Sequence, residues 1–296
     1  MKKRLLLIIS VILLVSACEK PAHYRAVLSL WSHYERAEKE GNNVNPYLIS
    51  VLAGSLADKG QKLKETREYI SWYFEHMNYP DASGLTGSIY DYHIDPGGAE
   101  KPSGAYDSAD SYAATFLLLL EKYSAATGDF SLIRKNWEKV QDCVYVIVAL
   151  QDEDGLTRAV PYSDAKYLMD NCEAYAGILA YQRLCSALGK EREECFDAAA
   201  DAIKEGIRLN FFDAATGLYC WGISGGVKSG PGTDVYPDRF AQIFPFLFGL
   251  SDDSGPLKKL IANPGKKIVA FPLEQRIIIG EAAFRLNLPA AKELKP

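Results

Sequence analysis

The sequence predicts an all-α chain, an (α/α) toroid of about five to six helical hairpins with short β-strands in the loops at one mouth. Three observations predict it. The first is an internal echo: Tyr106-Asp107-Ser108-Ala109-Asp110-Ser111-Tyr112-Ala113-Ala114 returns as Met169-Asp170-Asn171-Cys172-Glu173-Ala174-Tyr175-Ala176-Gly177. A weaker third copy, Tyr236-Pro237-Asp238-Arg239-Phe240-Ala241-Gln242, keeps a carboxylate, an aromatic and the alanine. The matched alanines, Ala113, Ala176 and Ala241, stand 63 and 65 residues apart, a period long enough for two helices and their connections. The second observation is a recurring polar turn with glycine near a helix end: Asp81-Ala82-Ser83-Gly84-Leu85-Thr86, Asp152-Glu153-Asp154-Gly155-Leu156-Thr157 and Asp213-Ala214-Ala215-Thr216-Gly217-Leu218-Tyr219. The third is an alternation of one-striped helices with helices apolar nearly all round, as the outer and inner walls of a ring require.

In chain order, Met1-Lys2-Lys3-Arg4 is a basic start to an apolar run from Leu5 to Val15, too short to stay in a bilayer as a spanning helix, so residues 1–17 read as an export signal. The run ends in Val15-Ser16-Ala17-Cys18, which resembles the lipobox of bacterial lipoproteins. That resemblance implies cleavage before Cys18, attachment of lipid (palmitate included) at its sulfur, and an extracytoplasmic protein anchored to a membrane through residues 18–21. Glu19 follows the cysteine, where an aspartate would retain a Gram-negative lipoprotein in the inner membrane. By the same resemblance the outer membrane is favoured, on its periplasmic or surface face.

Residues 22–296 are expected to form a single toroid domain. The expected helix pairs are 22–40 with 46–58, 62–77 with 107–126, 130–150 with 170–187, 192–211 with 237–250, and 253–262 with 272–286. In the outer helix 130–150, Trp137, Val140, Val144, Ile147 and Val148 form one stripe, away from Asn136, Glu138, Lys139 and Asp142. The segment from Ala113 to Leu120 is apolar on every side and suits an enclosed inner helix. The long connection 78–106 holds a period-two stretch from Ser88 to Asp95, with Asp91, His93 and Asp95 on one face and Tyr90, Tyr92 and Ile94 on the other. Connections of that length usually serve a site.

Composition excludes several function classes. Loss of the signal takes three of the 33 basic residues and leaves 30 against 38 acidic, a net charge near −8. With no Lys/Arg cluster, nucleic acid is not an expected partner. The glycine-rich run Gly97 to Gly104 lacks the Gly-Lys-Ser/Thr ending of a phosphate loop, so no nucleotide is expected either. Five cysteines follow Cys18 (Cys143, Cys172, Cys185, Cys195 and Cys220) without a CxxC pair or a zinc spacing. Cys185 and Cys195 flank a turn at Gly189 and are candidates for a disulfide, with buried free thiols as the alternative. Asp91, His93 and Asp95 are chemically acceptable ligands for a divalent ion, but an exposed polar strand face is the simpler reading, and Asp152-Glu153-Asp154-Gly155 starts like a calcium loop without its closing glutamate. No metal and no cofactor is expected.

Outer helix, Asp-x-Asp-Gly-Leu turn, loop, and an inner helix opened by an acidic-aromatic motif together resemble the six-hairpin glycosidase superfamily over roughly residues 62–250. The resemblance implies an (α/α)6 barrel that hydrolyses or processes polysaccharides. One departure is length: six hairpins of about 64 residues need more than the 279 that follow the signal, so the end pairs are compact or the ring is incomplete. No single family within the superfamily fits closely enough to carry its acid and base across, so the site is assigned on chemistry.

Glycoside hydrolysis needs one carboxylic acid to protonate the leaving oxygen and one carboxylate to activate water or attack the sugar. The candidates are Asp107, Asp110, Asp170 and Glu173, at the starts of two inner helices, and Asp91 from the long loop. Each helix-start pair also fits a capping pattern. In the third copy Val235 replaces the first acid while Asp238 keeps the second, so the first position is not needed merely to build a hairpin. Aromatic rings suit pyranose faces, and Tyr90, Tyr92, Tyr106, Tyr162, Tyr167, Trp221 and Tyr236 are the candidate substrate-binding residues, with Tyr219 beside them. The expected partner is a polysaccharide or oligosaccharide. The alternative is a catalytically silent helical lipoprotein that binds glycan or scaffolds an envelope complex.

Overall fold

A computed structural model describes Leu30 and residues 42–95, 97–262 and 272–286. The signal sequence 1–17, Cys18, the tether and all of the expected helix 22–40 except Leu30 lie outside the described residues.

The inner wall is built from α1 (Pro46–Ala57), α3 (Ala109–Thr127), α6 (Leu168–Ala187) and α10 (Leu273–Arg285). Outside them lie α2 (Leu63–His76), α4 (Ser131–Lys135) with α5 (Trp137–Ala149), α7 (Glu194–Gly206) and α9 (Gly255–Ala262). α3 packs between α1 and α6, as the echo requires of neighbouring inner helices. Their approach is close because the echo puts small residues there: a Cβ on Gly177 would lie 2.7 Å from the Cα of Ala114. The outer helices turn one stripe inward. Tyr69, Trp72, Tyr73 and Phe74 of α2, and Val140, Val144 and Ile147 of α5, are buried, and the Tyr73 ring stacks on Phe116 at 3.6 Å.

The inner elements surround an axial cavity of about 280 Å³, lined by Val51, Leu118, Leu179, Leu247 and Ile278, with Glu173 also on its wall. Ion pairs stand near the C-terminal ends of α3 and α6, where Lys122 contacts Asp58 at 2.9 Å and Glu281 at 3.1 Å and Arg183 contacts Glu121 at 2.7 Å. Cations there also complement the carbonyl-rich helix ends.

Two expected helices are interrupted. The segment 130–150 breaks at Asn136, whose φ of −114° and ψ of 31° leave the helical region. The segment 237–250 is a wide turn at Val235–Arg239 followed by α8 (Phe244–Leu247). Pro245 lacks the N–H that a continuous helix would offer to Ala241, which limits regular structure there.

The strands gather where the inner helices begin. β1 (Asn42–Val44), β2 (Tyr92–Ile94) and β3 (Glu100–Pro102) form an antiparallel sheet, so only the C-terminal part of the period-two stretch is strand. β5 (Phe212–Asp213) and β6 (Leu218–Tyr219) bracket the third polar turn, while β4 (Lys166–Tyr167), β7 (Gly222–Ser224) and β8 (Val227–Ser229) form the second three-stranded sheet. β1 leads into α1 and β4 runs directly into α6, placing both three-stranded sheets at one mouth. The polar turns fold as their glycines dictate: Gly155 has φ 81°, and a Cβ there would meet the Ala202 carbonyl oxygen at 2.3 Å.

Of the two readings of the cysteines, the free thiols hold. Cys185 is buried and Cys195 exposed, and both are free thiols, as are buried Cys143, Cys172 and Cys220.

Candidate active site

The two main copies of the echo interlock across the mouth. Ser108 Oγ is hydrogen-bonded to Asp170 and Ser111 Oγ donates to Glu173, each bond spanning 62 residues from one hairpin to the next. Neither acid simply caps its own helix. α3 begins after Ser108 and α6 after Tyr167, and neither N-cap residue makes a side-chain capping bond.

Beneath this seam, Asp110 is fully buried and triply solvated by protein donors. Its Oδ1 accepts from the Ser111 backbone N–H at 2.8 Å and from Ser108 Oγ at 2.7 Å, and its Oδ2 accepts from Thr157 Oγ1 at 2.5 Å. Thr157 closes the second polar turn and is held by Asn171, whose Oδ1 accepts from the Thr157 N–H at 2.8 Å. Glu173, also buried, accepts from Tyr47 Oη at 2.9 Å. These bonds bring the starts of α1, α3 and α6 to one place.

At the rim, Asp107 is exposed and Asp91 half-buried. Asp91 Oδ1 accepts from the Tyr112 hydroxyl at 3.0 Å, and that hydroxyl accepts in turn from Asn45 Nδ2 at 2.7 Å. The Tyr47 and Tyr112 rings stack at 6.1 Å.

Burial in the company of other acids governs the charges. Burial pushes Asp170 well above the ordinary carboxylate range, with Asp110 and Glu173 adding repulsion. Glu173 is pushed up to about 8 by burial, against the opposing bonds from Ser111 and Tyr47. Asp91 is raised to about 6, mainly by burial, with the Asp107 charge adding to it and the Tyr112 bond opposing it. Burial next to Glu173 holds the Tyr47 phenol well above its usual value. An acid held above the ordinary carboxylate range beside an exposed acid is a pairing that acid/base chemistry on a glycosidic bond can use.

The candidate aromatics divide. Tyr162 and Tyr236 are 70% and 54% exposed, and Tyr167 stacks on Trp221 at 6.3 Å with the planes 14° apart. Tyr90 is half-buried and stacks on Tyr106. Two expectations are corrected. Tyr92 is buried edge-on against Trp72 and His76. Tyr106 is buried with its hydroxyl donating to Asp81 at 2.8 Å. Both are framework, because the loop 78–106 packs Tyr92 on α2 and folds on itself around Tyr106. Tyr219 lies half-buried against Phe212.

Asp91, His93 and Asp95 do not converge. His93 pairs with Asn43 and Asp95 with the Ala99 N–H and Lys101, and no group of three metal-ligating side chains is gathered among the described residues.

Sequence reasoning missed Tyr47, Ser108, Ser111 and Thr157. Three of these lay inside motifs already singled out. The signal was that Ser108 and Ser111 become Asn171 and Ala174 in the second copy, so the copies are complementary rather than equivalent. Nothing local distinguishes Tyr47.

No protein family and no curated protein matches the sequence, but solved structures do match the fold. A rhamnosidase from Klebsiella oxytoca with rhamnose bound aligns over 94% of this chain and 54% of its own at TM-score 0.58 and 13% identity. An α-amylase from Clostridium perfringens aligns over 92% and 84% at TM-score 0.58 and 8% identity. The GH76 α-mannanase BT2949 of Bacteroides thetaiotaomicron aligns over 92% and 79% at TM-score 0.53 and 11% identity. The chain spans about half or less of the lengths of the rhamnosidases it matches. The fold is thus the (α/α) toroid that glycosidases of the six-hairpin type share. On that fold, the mouth of this chain carries acids from neighbouring hairpins, Asp107 and Asp110 from one and Asp170 and Glu173 from the next.

Proposed function

We propose that this chain is a glycoside hydrolase that cleaves a polysaccharide or oligosaccharide with Asp170 as proton donor and Asp107 as the carboxylate that activates water. The observation that carries the reading is the Ser108–Asp170 bond between adjacent hairpins: it fixes a raised-pKa acid at the mouth, near exposed Asp107 and the exposed Tyr167 ring. The glycosidase folds that it resembles support the same reading. Asp91, Asp110 and Glu173 then serve as rim and supporting acids, and Tyr167 with Trp221 as a sugar platform. The lipobox-like end at Cys18 and the signal before it support lipid anchoring and an extracytoplasmic, outer-membrane location, a further part of the proposal.

The test incubates the full chain, purified in mild detergent, with a panel of bacterial and plant polysaccharides and measures new reducing ends. Asp170→Asn and Asp107→Asn should each lower the rate by about 100-fold or more while leaving the circular dichroism unchanged. Full activity in both variants would remove the assignment, and binding without cleavage would favour a silent glycan-binding lipoprotein. The anchor is tested by metabolic palmitate labelling, which Cys18→Ser should abolish.

A further inference from the structure

One hydroxyl proton cannot serve two carboxylates. Ser108 Oγ lies within hydrogen-bond reach of both Asp110 Oδ1 and Asp170 Oδ2, yet it carries a single proton. Were both acids ionised, one of the two contacts would set a carboxylate oxygen against a serine lone pair in a buried site, which is strongly unfavourable. A second proton must therefore sit on the pair. Asp110 is the poorer place for it, since its two oxygens already receive the Ser111 N–H and the Thr157 hydroxyl, both suited to an anion. Among the described residues, Asp170 has no other side-chain hydrogen-bond donor.

We propose that Ser108 is a positioning residue that keeps Asp170 protonated: its own proton goes to Asp110, and its oxygen accepts the O–H of the Asp170 carboxyl. The groups facing Asp170 from the surrounding elements are Asp110 and Asp107 beside α3, Cys172 and Glu173 within one turn along α6, Tyr47 of α1 and Tyr167 of β4. All are acids, so any that ionises disfavours the Asp170 anion further.

The inference deepens the hydrolase reading and, for its catalytic half, rests on it. In the reaction, the Asp170 proton passes to the glycosidic oxygen as the sugar carbon–oxygen bond breaks. Water adds its hydroxyl to that carbon and its remaining proton to Asp107. The Ser108 hydroxyl is then free to turn toward the Asp170 carboxylate, because Asp110 keeps its two other donors. One side chain thus accepts from the acid before proton transfer and donates to its conjugate base afterwards.

The sign of one measurement tests this. Isotope-edited infrared spectroscopy of the full chain with labelled aspartate, compared with Asp170→Asn to assign the band, follows the protonated carboxyl of Asp170 against pH. If Ser108 accepts from neutral Asp170, Ser108→Ala removes a stabilising acceptor. The midpoint should then fall by about one pH unit, a tenfold loss of proton affinity, and Ser108→Thr should restore it. If Ser108 only donates to an ionised Asp170, the midpoint rises in Ser108→Ala, and a rise or no change overturns the proposal. A glycan that is cleaved provides the second readout: kcat falls in Ser108→Ala, the alkaline limb of its pH profile moves down by the same unit, KM is unchanged, and threonine rescues. If no glycan is cleaved by the unsubstituted chain, the hydrolase reading fails, while the infrared midpoint still decides the protonation of Asp170.

Discussion

Glu173→Gln should stabilise the folded chain, and increasingly so as pH rises. Glu173 is buried between the mouth and the axial cavity, accepts from Tyr47 and Ser111, and has its carboxyl pushed from 4.5 to about 8. A carboxyl whose folded value is raised binds its proton more tightly in the folded state. Its contribution is fully present below pH 4.5 and is lost as pH rises through about 8. At about 1.4 kcal/mol per unit the full loss is about 5 kcal/mol, an upper bound for a site that relaxes on ionisation. Between pH 5 and pH 7 the loss attributable to this group is about 2–3 kcal/mol. Glutamine keeps the shape, stays neutral at every pH, and satisfies both hydroxyls once one of them reverses its bond. The assay is urea unfolding of both proteins at pH 5, 7 and 8.5, read by tryptophan fluorescence. The stability difference should grow in favour of the variant by about 2–3 kcal/mol from pH 5 to 7 and further by 8.5. A difference that does not change with pH would refute the reasoning, because it would mean that Glu173 is not the titrating group.

Other perturbations test the frame and the platform. Gly177→Val should destabilise by about 2–4 kcal/mol in thermal melts, since even a Cβ sits 2.7 Å from the Ala114 backbone where α3 and α6 touch. Trp221→Ala removes half of the exposed stack with Tyr167 and should raise KM on a cleaved glycan about tenfold with kcat little changed. Stability should also fall as pH rises through about 6 because Asp91 is raised to that value, and Asp91→Asn should remove this component of the urea-unfolding profile. Reducing agent should leave the melting temperature unchanged, because Cys185 and Cys195 are not joined.

Much of the frame was legible because helical pairing is a local property repeated in step. The Ala113–Ala114 and Ala176–Gly177 matches mark the places where inner helices touch, and the polar turns mark where hairpins reverse. The helix breaks were less legible, although Pro245 stood in plain view, because the apolar pattern around it continues regardless of whether the backbone can. Tyr92 and Tyr106 misled for a related reason. A period-two pattern tells which residues share a face but not which face meets solvent, and here Tyr92 packs on α2, while Tyr106 is covered by a loop fold that no local pattern announces.

The sequence by itself determined the hairpin period, the all-α class and the set of acids at the starts of the inner helices, since each depends on neighbours within a few turns. Only the tertiary structure decided what those acids do to one another. Ser108 and Ser111 reach Asp170 and Glu173 across 62 residues, and Tyr47 arrives from a helix with no motif at all. Burial and shared protons are properties of that meeting, because the charge that a carboxyl can hold depends on the donors and the other acids around it and not on its place in the chain.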